Sequence, residues 1–211
     1  TQNQALAALL FLYKNVLEQK LDWLDDVTRA KQPRHLPVVL TQGEVGTLLE
    51  NMKGVNGLIA RLLYDTGMRK MECLRLRIMD VDFDYSQIHV RSGKGGKDRI
   101  ALLPDCLVAS LRSQFEHVEK LHKYDIDEGY GEVELPFALE RKYPNAGREW
   151  KWQYVFPSTK RSVDKRTGVI GRHHWHDTNV SRAIRQSVCF SRISKHVSVH
   201  TLRHTFATHL L

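Results

Sequence analysis

The sequence predicts a mainly helical chain with one small antiparallel sheet, an α+β class, from three features. Apolar residues recur at three- and four-residue spacing over residues 3–20, 41–67, 105–124 and 178–188, the period of a helix with one buried face. Three short alternating stretches, "MDVDF", "QIHVRS" and "RIALLP", lie close together, with the basic glycine turn "GKGGKD" between the second and third, as in an antiparallel meander. The chain has 211 residues, of which 42% are hydrophobic, enough to bury a core.

In chain order, Leu6, Leu9, Leu10, Tyr13, Val16 and Leu17 form the apolar stripe of a first helix, whose partner is not evident nearby. The stretch "RAKQPRHLPVVL" follows, with two prolines among charges, and predicts a linker with a domain boundary near residue 36. Thr41 and Glu44 have capping-box spacing ahead of Val45, Leu48 and Leu49. The next stripe, Val55, Leu58, Ile59, Leu62 and Leu63, runs to Gly67, a residue suited to ending a helix in the left-handed conformation. After the sheet and the helix at 105–124, residues 125–140 hold six acidic residues and no basic one, and a segment rich in Trp, Tyr, Pro and Gly follows. An insertion around 125–170 is expected. Within it "WKWQYVF" alternates like a half-buried strand, which would put Trp150, Trp152 and Tyr154 on one face. The adjacent His173 and His174 cannot both point inward from an extended segment. The final helix begins near Ser198, with Leu202, Phe206 and Leu210 on its apolar side.

Charge narrows the partner. Thirty-two Lys and Arg against 24 Asp and Glu give +8, which favours a polyanion such as nucleic acid. Residues 148–195 alone carry eleven basic and three acidic residues. Cys73, Cys106 and Cys189 match neither a disulfide framework nor a CxxC zinc site, pointing to a reducing cytoplasm. The apolar run "ALAALLFLY" has no basic leader and is too short to span a bilayer, so no membrane association is expected.

Three motifs can carry chemistry. In "HTLRH", His200, Arg203 and His204 share one helical face. His200 and His204 also have the spacing of a zinc-protease pair, but Thr201 stands where that motif needs its general-base Glu, and no metal is expected. The loop "SGKGGKDR" is no P-loop, since Gly95 or Asp98 follows the Gly-Lys pair where Ser or Thr is required. Its glycines still let Lys94 and Lys97 approach a phosphodiester closely. In "DTGMRKMECLRL", Gly67 leaves Arg69 at the start of a helix, where backbone N–H groups favour an anion and a guanidinium can fork a phosphate.

The order of these motifs, TGxR, then a GKG hairpin, then HxxR on a late helix, resembles the catalytic domain of the tyrosine recombinases, the phage integrase family. The resemblance spans residues 36–211. The stretch "ALERKYPNAGREWKWQYVFPS" is similar to the insertion that marks integron integrases. Residues 1–35 would then be the end of the family's helical core-binding domain. The resemblance implies a site-specific recombinase that needs no cofactor and works on DNA in a tetrameric synapse, within the bacterial cytoplasm at the nucleoid. It implies that Arg69 and Arg203 clamp the scissile phosphate, that Lys94, with Lys97 as second choice, protonates the departing oxygen, and that His200 bonds the phosphate. Lys97, Arg99, Trp152, Arg172, His173, His174 and His204 are expected to touch DNA, which in integron integrases is a folded single strand with unpaired bases outside the helix. The nucleophilic tyrosine and second histidine are expected beyond residue 211, because all seven tyrosines precede the HxxR helix. A non-catalytic DNA-binding regulator and a zinc-dependent hydrolase are the alternatives.

Overall fold

A computed structural model describes residues 2–19, 36–91, 97–136, 139–164 and 167–211. Most of the expected linker, and the hairpin tip with Lys94, lie outside the described residues. The chain divides into two compact units, Thr1–Leu36 and Pro37–Leu211. In the first, helix α1 (Gln2–Phe11) runs into a wider turn at Leu12–Val16, and none of its residues is buried. Of the expected stripe, Leu9, Val16 and Leu17 are 52%, 61% and 47% exposed, and Leu6, Leu10 and Tyr13 are half-buried.

The second unit is organised around helix α3 (Gly54–Thr66). It packs against α2 (Gln42–Glu50), α4 (Lys70–Leu74), α5 (Asp105–Asp127), α7 (Asp177–Phe190) and α8 (Val199–His209). Ile59, Leu62 and Leu63 are buried at its centre, each at a site where truncation to alanine costs about 2–5 kcal/mol. Thr41 caps α2 as its spacing predicts: the Glu44 N–H donates to Thr41 Oγ1 at 3.2 Å and the Thr41 N–H donates to Glu44 Oε2 at 2.7 Å. Gly67 ends α3 at φ 59°, ψ 22°, the left-handed conformation that a residue with no Cβ adopts freely.

The meander is antiparallel in the order β1 (Val81–Asp82), β2 (Gln87–Val90), β3 (Arg99–Leu102). Register pairs Val81 with Ile88, Ile88 with Ala101 and Val90 with Arg99. Alternation buries Ile88, Val90 and Ala101 and leaves Ile100 and Leu102 exposed on the other face.

The segment expected to be an insertion buries Val133, Leu135, Val155 and Phe156 and is also held by polar groups. Buried Arg77 donates to the carbonyls of Trp152 (2.8 Å) and Glu134 (2.7 Å) and to Tyr154 Oη (3.0 Å), with its guanidinium 3.7 Å over the Tyr154 ring. Buried Asp125, near the end of α5, accepts from Arg161 at 2.9 Å and from Arg172 at 2.5 and 3.0 Å. The short helix α6 (Leu139–Lys142) and the two-residue hairpin strands β4 (Ser162–Val163) and β5 (Ile170–Gly171) complete this region.

The expected strand "WKWQYVF" is corrected. Trp150–Trp152 forms a 3-10 turn, and Gln153, Tyr154, Val155 and Phe156 are all buried. Backbone bonds on both sides explain this: Ile78 N–H donates to Gln153 O and Val155 N–H to Leu76 O, while Trp175 N–H donates to Phe156 O. Its faces are covered too, by the Arg77 guanidinium over the Tyr154 ring and by the core that Val155 and Phe156 join, so no solvent face is left to alternate toward. Trp150 instead packs edge-on to Phe115, with ring centroids 6.4 Å apart, and beside His122.

Candidate active site

Helix α8 is fastened to the start of its domain by its own polar side chains. The Leu40 N–H donates to buried Thr205 Oγ1 at 3.1 Å. One turn on, His209 Nε2 lies 3.0 Å from the Leu40 carbonyl and Nδ1 lies 2.8 Å from Tyr64 Oη. A carbonyl can only accept, so the hydrogen is on Nε2 and the Tyr64 hydroxyl donates to Nδ1. The buried side of α8 is Val199, Thr201, Leu202 and Thr205. Of the three apolar residues expected there, Phe206 is half-buried and Leu210 is 70% exposed, past the end of the helix.

This fastening sets Arg203 against the α3–α4 turn. An Arg203 Nη1–H donates to the Gly67 carbonyl, and the Phe206 ring lies against the Gly67 Cα, filling the space a side chain would need. Burial, and next the positive charge of Arg69, hold the Arg203 pKa below its ordinary value, with Arg99 adding to them and Glu72 opposing. The two arginines expected to act together are therefore close, although 134 positions separate them in sequence. His200 and His204 are exposed on α8, one helical turn from each other.

Sequence reasoning missed Glu72, the centre of the cluster. Its side chain is only 8% exposed, and both oxygens are engaged. Oε1 pairs with Arg69 Nη1 at 2.6 Å; Oε2 accepts the Arg69 backbone N–H at 2.9 Å and Arg99 Nη2 at 2.6 Å. Burial raises the Glu72 pKa, but these bonds and the charge of Arg99 outweigh it and hold the carboxyl below the usual range. The backbone N–H of Arg69, at the cap of α4, is thus held by the chain's own carboxylate. The three-residue step from Arg69 to Glu72, the spacing of a capping pair, was the available signal.

Of the residues expected on DNA, Arg99 belongs to this central cluster and Lys97 is exposed at the start of the returning hairpin arm. Arg172 is corrected. Its guanidinium is committed to Asp125 and to the carbonyls of Ser158 and Thr159, and its side chain is 11% exposed, which leaves no fork for a phosphate. His173 and His174 lie 4.1 Å apart between ring centroids, each 5.7 Å from Tyr154. His173 is exposed, with Nε2 3.6 Å from a Glu134 oxygen. His174 Nδ1 lies 2.9 Å from the Trp175 carbonyl, and burial holds its pKa below the usual imidazole value. Trp152 is half-buried in a cleft of about 370 Å³ that Met71, Glu72, Arg75 and Tyr154 also line. Among the described residues no three His, Cys, Asp or Glu side chains are placed to hold a metal, and no helix is long and apolar enough to cross a membrane.

Fold and site together define a mainly helical domain that gathers three arginines about one carboxylate, a net-positive seat for an oxyanion. Residues 38–211 match the phage integrase family, and the chain belongs to that family, the tyrosine recombinases. An Escherichia coli integrase/recombinase is 49% identical over 211 residues, which are all of this chain and 63% of that protein. The crystal structure of XerA recombinase superposes with a TM-score of 0.55 at 29% identity, covering 99% of this chain and 61% of that one. The Tn1549 transposon integrase, solved in complex with transposon right end DNA, has the same fold, with a TM-score of 0.57 at 18% identity over 99% of this chain and 65% of that one. This chain therefore spans less than two thirds of the length of each of these three relatives.

Proposed function

We propose that the complete protein is a site-specific DNA recombinase of the integron-integrase kind, cleaving and rejoining strands through a 3′-phosphotyrosyl bond. The observation that carries this is the seating of Arg203 on the Gly67 carbonyl beside Arg69, Arg99 and Glu72. Glu72 pairs with two of these guanidinium groups, Arg203 sits on the Gly67 carbonyl, and a phosphodiester supplies the missing negative charge. As a tyrosine oxygen attacks phosphorus, charge grows on the non-bridging oxygens, and arginines already in place stabilise it without reorganising.

The remaining roles follow the family. Lys94 gives a proton to the 5′ oxygen as the P–O5′ bond breaks, and His200 bonds the phosphate and helps move protons. The phosphotyrosyl ester keeps the energy of the broken bond, so a 5′ hydroxyl from another strand reverses the attack without ATP. The tyrosine is supplied from outside the residues described, and four protomers form the synapse. The insertion and the basic surface of residues 148–195 support DNA as the partner. Exposed His173, its ring tilted against those of His174 and Tyr154, and half-buried Trp152 offer flat faces to unpaired bases of a folded single strand, each stack being worth about 1–3 kcal/mol.

A suicide DNA substrate incubated with the full-length protein tests the chemistry. An adduct that survives EDTA is expected. Retained binding with no adduct would favour a non-catalytic regulator, and chelator-sensitive cleavage would favour zinc. For the substrate, a hairpin with protruding bases is compared with the same hairpin lacking them. Wild type should prefer the first, and H173A/H174A should erase that preference; equal weakening on both substrates would remove the base-stacking role.

A further inference from the structure

Glu72 poses a problem that the clamp alone does not solve. A carboxylate next to a guanidinium favours the fork-to-fork pairing in which both oxygens bind. Arg69 and Glu72 are three residues apart on one helical turn, with the Glu72 side chain only 8% exposed, conditions that strengthen such a pair. A doubly paired Arg69 would meet a phosphate already neutralised, with its best donors used. In the structure Arg69 has only one Glu72 oxygen through its side chain. The second is taken by Arg99, which arrives from β3, 27 positions later, and is held in register opposite Val90. The side chains of Arg69 and Arg99 keep 37% and 34% exposure, so both guanidinium groups stay partly open to solvent while they flank Glu72.

We infer that Arg99 is a positioning residue: by occupying Glu72 Oε2 it prevents that carboxylate from chelating Arg69, and so keeps the Arg69 fork open to the phosphate. The inference rests on the phosphate-clamp reading above. It differs from the simpler role in which Arg99 contacts DNA directly, and from one in which it merely ties β3 to α4. Removing Arg99 frees Oε2 from all but the Arg69 backbone N–H. A rotation of the carboxylate about its last bond then brings both oxygens to Arg69. Neutralising Glu72 as well removes the reason for that rotation.

The test is a double-mutant cycle in the full-length protein, reading both the rate constant and the amplitude of covalent adduct formation on a suicide substrate in a single turnover. R99M should slow adduct formation about tenfold, a coupling ordinary for residues sharing one partner, at undiminished amplitude. R99M/E72Q should be faster than R99M, and R99K should lie between R99M and wild type. If E72Q leaves R99M unimproved or slows it further, Arg99 acts on DNA or on the fold, and the inference is overturned. A loss of amplitude at unchanged rate constant would also overturn it, as the mark of a merely structural tie. A wild type that forms no adduct is a separate result: it ends the recombinase reading, and this inference with it.

Discussion

Gly67→Ala perturbs the joint on which the two halves of the site meet. At φ 59° an alanine is held in the left-handed region, which costs an L-residue about 1–2 kcal/mol. Its Cβ would stand 2.5 Å from Phe206 Cε1 and nearer still to Cδ1, an overlap that the half-buried ring cannot absorb in place. Overpacking of this kind costs about 1–3 kcal/mol, so the sum is about 2–5 kcal/mol, a large share of the stability of an ordinary domain. Phe206 and Arg203 belong to the same helix, and relief of the overlap moves α8 away from the α3–α4 turn. A shift near one ångström in a catalytic group can cost about a hundredfold in rate. Chemical denaturation should show the stability loss, and single-turnover adduct formation by the full-length protein should show a rate loss beyond the unfolded fraction. Adding Phe206→Leu should recover the overpacking share and leave the backbone share. If Gly67→Ala unfolded within about 0.5 kcal/mol of wild type and cleaved normally, the proposed joint between α3 and α8 would be wrong.

The Glu72 carboxyl is held below its ordinary 4.5 in the folded chain, so its contribution to stability is present above that pH and is lost as pH falls through the lowered folded value. Melting temperature should therefore drop in acid below about pH 4.5, and E72Q should flatten that part of the curve; an unchanged acid limb would contradict the pairing. Thr205→Val leaves the buried Leu40 N–H without its acceptor and should cost about 1–3 kcal/mol in denaturant unfolding, whereas a neutral effect would mean that α8 is not held there. DNA affinity should fall steeply with salt, log K declining by about 0.9 per phosphate contacted for each tenfold rise, and a flat profile would argue against an electrostatic interface.

Much of the fold could be read from local pattern because local chemistry determines it. Thr41 and Glu44 cap α2 through bonds spanning three residues, and Gly67 adopts the conformation its missing Cβ permits. The pairing of the three strands follows from their alternation. What could not be read depends on partners distant in sequence. The segment after Trp150 is enclosed between residues 76–78 and 173–175, so its own alternation carried no information about burial. Arg172 has the composition of a DNA contact and the geometry of a structural clip, because Asp125 lies 47 positions away. In the site, Arg69 and Arg203 were legible through motif order. Glu72 and Arg99 were not legible as a pair, since a carboxylate shared by a helix and a strand leaves no spacing to recognise.

If arginines from the α3–α4 turn and from α8 share the charge of one phosphate, a neutral phosphate separates that role from a structural one. Full-length wild type and R203A are compared on a suicide substrate with an ordinary scissile phosphodiester and on one whose scissile phosphate is a methylphosphonate, with one non-bridging oxygen replaced by methyl. On the phosphodiester, R203A should lose about 10²–10³-fold in the rate of adduct formation, the cost of removing one preorganised donor from a developing oxyanion. On the methylphosphonate, with less charge to stabilise, the two proteins should come within about tenfold of each other. An equal loss on both substrates would show that Arg203 holds the fold or the DNA and not the phosphate charge, and would contradict the account.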